Sequence, residues 1–241
     1  MDSPEETRGS GAGQGEAPHW IVLPDAEAVA HEAAQRILGQ AERAIADHGV
    51  FRIVLAGGST PESTYRLLAG AQADWGAWEI YFGDERCLPP RDLERNSTMV
   101  DRAWLNHVEV PAGHIFPIPA ERGPDEAAQS YAMLVRGRMP FDMVLLGMGE
   151  DGHTASLFPG QEHPGSEPVH AVRNAPKAPP ERVSLSAASL GNTRALLVLV
   201  TGAGKREALS RWRAGEHLPV ASVVSAGGAV VLVDRDAWGE T

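Results

Sequence analysis

The chain has 241 residues, 43% of them hydrophobic and 22% charged, with a formal net charge of -11, which suits one well-buried domain and is short for two. That balance argues against a protein that coats nucleic acid, where phosphates demand clustered Lys and Arg, although a local group of cations can still hold one small anion. Cys87 is the only cysteine, so no intrachain disulfide is possible and a reducing compartment is expected; no apolar run nears the ~20 residues that cross a bilayer.

Residues 1 to about 18 are rich in Gly, Glu, Ser and Pro and nearly devoid of large apolar side chains, which predicts a disordered tail ahead of a single domain over residues 19–241. The acidic, polar start is unlike a secretory signal, so a cytoplasmic location is expected. Helical spacing then covers Ala26 to Asp47. Phe51 to Ala56 is a short run dense in β-branched and aliphatic residues and reads as a strand buried on both faces. The next helix is predicted to open at Pro61, with Ser59 and Thr60 before it as caps. Further strands are predicted at Trp78 to Phe82, Phe141 to Leu146, Ala195 to Val200 and Ala229 to Val233, and further helices at Asn96 to Leu105, Asp125 to Arg136 and Gly204 to Ala214. Strands alternating with helices imply an open, doubly wound α/β fold of Rossmann-like type, with a mostly parallel sheet and helices on both faces. In such sheets ligands lie beyond the carboxyl ends of the strands, so the residues after each apolar run are the ones to inspect.

After the first of these strands come Gly57, Gly58, Ser59 and Thr60. Two glycines let the backbone turn and approach a ligand, and a helix N-terminus favours an anion, so the turn resembles a phosphate cradle. It matches neither the Walker pattern nor the dinucleotide fingerprint, and no nucleotide cofactor is expected. After Phe82, the run Gly83-Asp-Glu-Arg86 delivers carboxylates and a guanidinium to the same edge; Arg86 suits a phosphate or carboxylate, and Asp84 suits sugar hydroxyls. After Leu146, a glycine-rich loop holds Asp151 and His153, a carboxylate close enough to fix the tautomer of the imidazole and support its positive form. After Val200, Gly202 and Gly204 flank a helix start that carries Lys205, a phosphate contact. Arg182 follows a proline-rich loop, and its position alone does not single it out. Cys87 stands alone and no His, Asp or Glu group has convincing ligand spacing, so no metal is expected.

Taken together, the segments Leu55-Ala-Gly-Gly-Ser-Thr-Pro61, Phe82-Gly-Asp-Glu-Arg86, Asn96-Ser97, Gly147-Met-Gly-Glu-Asp-Gly-His-Thr-Ala-Ser-Leu-Phe-Pro159, Arg182-Val-Ser-Leu-Ser186 and Gly202-Ala-Gly-Lys205 resemble, in order, the family that contains 6-phosphogluconolactonase and glucosamine-6-phosphate deaminase. The resemblance implies that the loop from Gly57 to Thr60, with Arg182 and Lys205, holds a sugar 6-phosphate, that Arg86 and Asn96 line the site, and that His153 works beside Asp151. Deaminases of the family carry a glutamate a few residues after the histidine. Here Thr154-Ala-Ser-Leu-Phe158 has no carboxylate, which is the lactonase form, while Glu150 stands where lactonases commonly have proline.

The resemblance therefore implies hydrolysis of 6-phosphogluconolactone to 6-phosphogluconate in the oxidative pentose phosphate pathway, without a metal or cofactor. His153 would act as base and then acid, at an ordinary pKa of about 6.5. The partner expected is the small sugar phosphate itself, with no nucleic acid or membrane, on a monomer or small homo-oligomer. Two alternatives are carried: a glucosamine-6-phosphate deaminase on the same fold, and a non-catalytic sugar-phosphate sensor, for which the residues before Trp20 are too few and too acidic to supply an effector segment.

Overall fold

The structure, a computed structural model, describes residues 17–224 and 228–239; the predicted tail lies, but for its last two residues, outside them. The chain runs β1 (His19–Leu23), α1 (Ala26–His48), β2 (Phe51–Leu55), α2 (Ser59–Ala69), β3 (Trp78–Phe82), β4 (Asp84–Arg86), α3 (Asn96–Ala103), β5 (Ile115–Phe116) and α4 (Pro124–Arg136). It continues through β6 (Met143–Gly147), β7 (Val169–Val172), β8 (Arg182–Leu185), α5 (Ala187–Gly191), β9 (Leu196–Val200), α6 (Arg206–Arg213), α7 (Pro219–Val224), β10 (Val230–Asp234) and α8 (Arg235–Trp238).

Seven strands form one parallel sheet in the order β1-β10-β9-β6-β2-β3-β5, as the alternation of strands and helices predicts. The central strands are buried along nearly their whole length, and Leu196 to Val200 is buried throughout, because helices cover both faces. α1 shows how the helices attach. Asp25 caps it by accepting from the N–H of Ala28, Gly49 ends it at φ 80°, and Val29, Ala33, Ile37, Ala41 and Ala44 form one buried stripe.

From β2 the chain winds outward to β3 and β5, whereas from β6 it winds the other way to β9 and β10. Since β2 and β6 are neighbours, the reversal opens a crevice beyond their carboxyl ends. The two glycine-rich loops meet there: a Cβ on Gly147 would lie 3.8 Å from the carbonyl of Gly57.

The sequence reading omits a second sheet, three antiparallel strands in the order β4-β8-β7. Its strand β4 gives no strand signal in the sequence, since Asp84, Glu85 and Arg86 contain no apolar residue. They nonetheless alternate with the period of a strand. Glu85 is fully buried, accepting from the N–H groups of Asn96 and Ser97 and lying 3.5 Å from Arg95. The pairing sets Arg86 opposite Arg182 and Asp84 opposite Ser184, so one strand register delivers two guanidinium groups to one place.

Candidate active site

The cleft beyond the sheet has a volume of about 340 Å³. Gly57, Gly58, Ser59, Thr60, Asp84, Arg86, Asn96, His153, Arg182 and Lys205 all line it. Asp151 alone of the expected residues does not, and it touches the cleft through His153.

The turn after β2 is closer than its sequence suggests. A Cβ on Gly57 would sit 2.1 Å from Oδ1 of Asn96, and Gly58 holds φ 108°, in the left-handed region that favours glycine. The predicted capping role of Ser59 and Thr60 needs correcting. α2 begins at Ser59, Gly58 occupies the cap position, and no side chain caps the helix. Its first N–H groups are therefore presented beside the cleft, where they favour an anion. The Thr60 hydroxyl is hydrogen-bonded to that of Thr201, 2.6 Å away at the end of β9.

Asp84 is 6% exposed, and its carboxylate is already engaged. Oδ1 accepts from Nδ2 of Asn96 at 2.9 Å, and Oδ2 accepts from the hydroxyl of Ser156 at 2.6 Å. Rather than simply offering a carboxylate to sugar hydroxyls, Asp84 ties β4, α3 and the histidine loop together. The Asn96 amide is oriented by this network, since both its Nδ2 contacts are to Asp84, which leaves its Oδ1 against Gly57.

The histidine loop is braced by its own backbone. Gly149 donates to the carbonyl of His153 at 2.8 Å, Gly152 donates to the carbonyl of Gly149 at 3.0 Å, and the Thr154 hydroxyl donates to the carbonyl of Gly147 at 2.8 Å. Within it Nδ1 of His153 lies 2.5 Å from Oδ1 of Asp151. Room for this pair depends on Gly149, where a Cβ would stand 1.9 Å from Nδ1 of His153 and 2.6 Å from Oδ1 of Asp151. Burial lowers the pKa of His153, outweighing the opposing pull of Asp151. Burial pushes Asp151 the other way, but its bonds with His153 leave its carboxyl below the usual range. At neutral pH the pair is thus a carboxylate and a neutral imidazole. A carboxylate only accepts, so Nδ1 carries the proton and Nε2 has a free lone pair.

Four cations line the cleft: Arg86, Lys177, Arg182 and Lys205. Arg182 is aimed by the proline-rich loop, donating through Nε to the carbonyl of Pro179 and through Nη2 to those of Lys177 and Ala178, at 3.0 to 3.1 Å. Its guanidinium also lies over the ring of Phe158, 5.4 Å from the centroid, and that ring stands 4.7 Å from the imidazole of His153. Lys205 lies in a 3-10 turn ahead of α6, not in an α-helical first turn as expected. That turn is anchored by Asp234, whose carboxylate accepts from the N–H of Gly202. Burial lowers the pKa of Lys205, against the nearby Glu150 carboxylate.

Lys177, Thr201 and Ser156 escaped the sequence reading. Thr201 could have been found, because it is the first residue after β9; Lys177 and Ser156 carry no local signal. Among the described residues no group of three or more His, Cys, Asp or Glu is placed to hold a metal, and no helix is long and apolar enough to cross a membrane.

The family model for glucosamine-6-phosphate isomerases/6-phosphogluconolactonase matches residues 24–232. The 6-phosphogluconolactonase of Mycobacterium tuberculosis is 34% identical over 90% of this chain and 95% of its own length. That of Streptomyces coelicolor is 35% identical over 81% and 82%. The solved structure of a 6-phosphogluconolactonase from Trypanosoma brucei, 27% identical, superposes with a TM-score of 0.81 over 91% of this chain and 97% of its own.

Proposed function

Since this chain belongs to the glucosamine-6-phosphate isomerase/6-phosphogluconolactonase family, we propose that it hydrolyses 6-phosphoglucono-1,5-lactone to 6-phosphogluconate. The observation that carries the reading is the imidazole of His153, bound 2.5 Å from Asp151, in the same cleft as a group of cations.

In this reading Ser59, Thr60, Arg182 and Lys205 hold the 6-phosphate and fix the lactone carbonyl near His153, so that binding is used for positioning. Nε2 takes a proton from water as the water oxygen bonds to C1, and the carbonyl oxygen becomes an oxyanion. Collapse of this intermediate breaks the bond from C1 to the ring oxygen, which leaves with the proton from His153 as a hydroxyl. The acid formed at C1 ionises, so each turnover releases one proton. Asp151 fixes the tautomer and stabilises the transient imidazolium. Backbone N–H groups of the glycine-rich loop, or Arg86, receive the oxyanion. No step needs a metal or a cofactor.

The test follows freshly generated lactone by its disappearance, against spontaneous hydrolysis, and assays glucosamine 6-phosphate for ammonia release in parallel. Accelerated lactone loss with no ammonia is expected. Ammonia release without lactone hydrolysis would make the protein a deaminase, and phosphosugar binding without either reaction would make it a sensor.

A further inference from the structure

In the reading above Arg182 and Lys205, which both line the cleft, grip the phosphate. Lys177 is held differently. It is exposed on the loop between β7 and β8, lines the cleft, and among the described residues its ammonium has neither a hydrogen bond nor an ion pair. Its backbone is nevertheless fixed, because its carbonyl accepts from Nη2 of Arg182 at 3.0 Å, and Pro176, Pro179 and Pro180 restrict the chain around it. A lysine whose main chain is clamped and whose ammonium is free is ready to receive an anion.

We infer that Lys177, rather than Arg86, is the cation of the reaction end: beside the N–H groups of the glycine-rich loop, its ammonium receives the charge that builds on the lactone carbonyl and remains as the product's carboxylate. This rests on the lactonase reading above. Three observations support the position. Lys177 shares the cleft with His153. Its positive charge adds to burial in lowering the pKa of His153 and is felt by Lys205 as well. The reaction also turns an uncharged ester into a carboxylate, which Arg182 and Lys205 cannot also hold while they grip the far end of the same molecule, and the remaining cation, Arg86, already donates through Nη1 to the carbonyl of Glu94. A cation beside the base also opposes its protonation, keeping the imidazole in its working form.

The experiment compares two ligands of the full-length chain by calorimetry: 6-phosphogluconate, and glucitol 6-phosphate, which carries the same phosphate but an uncharged hydroxymethyl group at C1. Lys177→Met should weaken 6-phosphogluconate about tenfold, the scale of one charge-assisted hydrogen bond, and leave glucitol 6-phosphate unchanged. Lys177→Arg should restore most of the difference. By NMR, the ring of His153 in the Lys177→Met protein should titrate at higher pH than in the wild type. Equal weakening of both ligands would reassign Lys177 to the phosphate, and no change in either would remove it from the site; both overturn the inference. Neither readout uses turnover, so failure of the wild-type protein to hydrolyse the lactone would sink the lactonase reading separately.

Discussion

The two ends of the cleft are built on different plans. The end that carries His153 comes from one stretch of chain, braced by hydrogen bonds among Gly147, Gly149, Gly152, His153 and Thr154. The cationic end is assembled from the start of α2, the first residue of β8 and the turn after β9, segments that meet only because the sheet and its small satellite bring them together. A local device is rigid and intolerant of change within itself, whereas an assembled one spreads its binding energy over independent contacts. The variants that separate these plans fall in a definite order.

The largest effect should come from His153→Ala, which removes the proposed base. Loss of about 10²- to 10⁴-fold in kcat is expected, the range for a positioned general acid–base, with the affinity for glucitol 6-phosphate within a factor of about two, since the lost ring makes no phosphate contact in this account. Next is Gly149→Ala. Its Cβ would occupy the space of Nδ1 of His153, and the displaced pair should lose about 10²-fold in kcat, the cost of misplacing a reacting group by about 1 Å. A Gly149→Ala enzyme with normal kcat would break the idea of a rigid local device. At the other end, Lys205→Met should raise KM for the lactone roughly 10- to 100-fold, as expected for a hydrogen bond to a charged group, with a small change in kcat; steady-state kinetics over a wide substrate range reads the split. The smallest effect belongs to Thr201→Val. It removes the partner of the Thr60 hydroxyl, and about a fivefold loss in phosphosugar affinity is expected from one neutral hydrogen bond worth ~1 kcal/mol.

The same contrast explains what the sequence discloses. Strands β2, β3, β6, β9 and β10 are legible because burial on both faces writes continuous apolar runs, and the histidine loop is legible because its chemistry sits in one contiguous segment after such a run. β4 is not, because Asp84, Glu85 and Arg86 look like solvated charge until Glu85 is seen turned inward against Arg95 and the start of α3. The opposition of Arg86 and Arg182 is a register between strands some hundred residues apart, and no local pattern encodes it. Arg182 entered the candidate set through resemblance alone, and Lys177, exposed on a loop away from any strand end, did not enter it. The capping role first read for Ser59 and Thr60 fails for a related reason. Proline suits the first turn generally, and sequence alone does not distinguish its first position from its third.

The central claim is that a neutral His153, held by Asp151, is the base for lactone hydrolysis, and the pH dependence of kcat/KM tests it most directly. With the spontaneous rate subtracted, kcat/KM for 6-phosphogluconolactone should rise with pH through one ionisation below the ordinary histidine value of about 6.5 and be flat at neutrality, because burial favours the uncharged ring. In the His153→Ala protein that ionisation should vanish along with most of the rate. A rate that falls as pH rises through the same range, or an identical profile in the two proteins, would contradict the account.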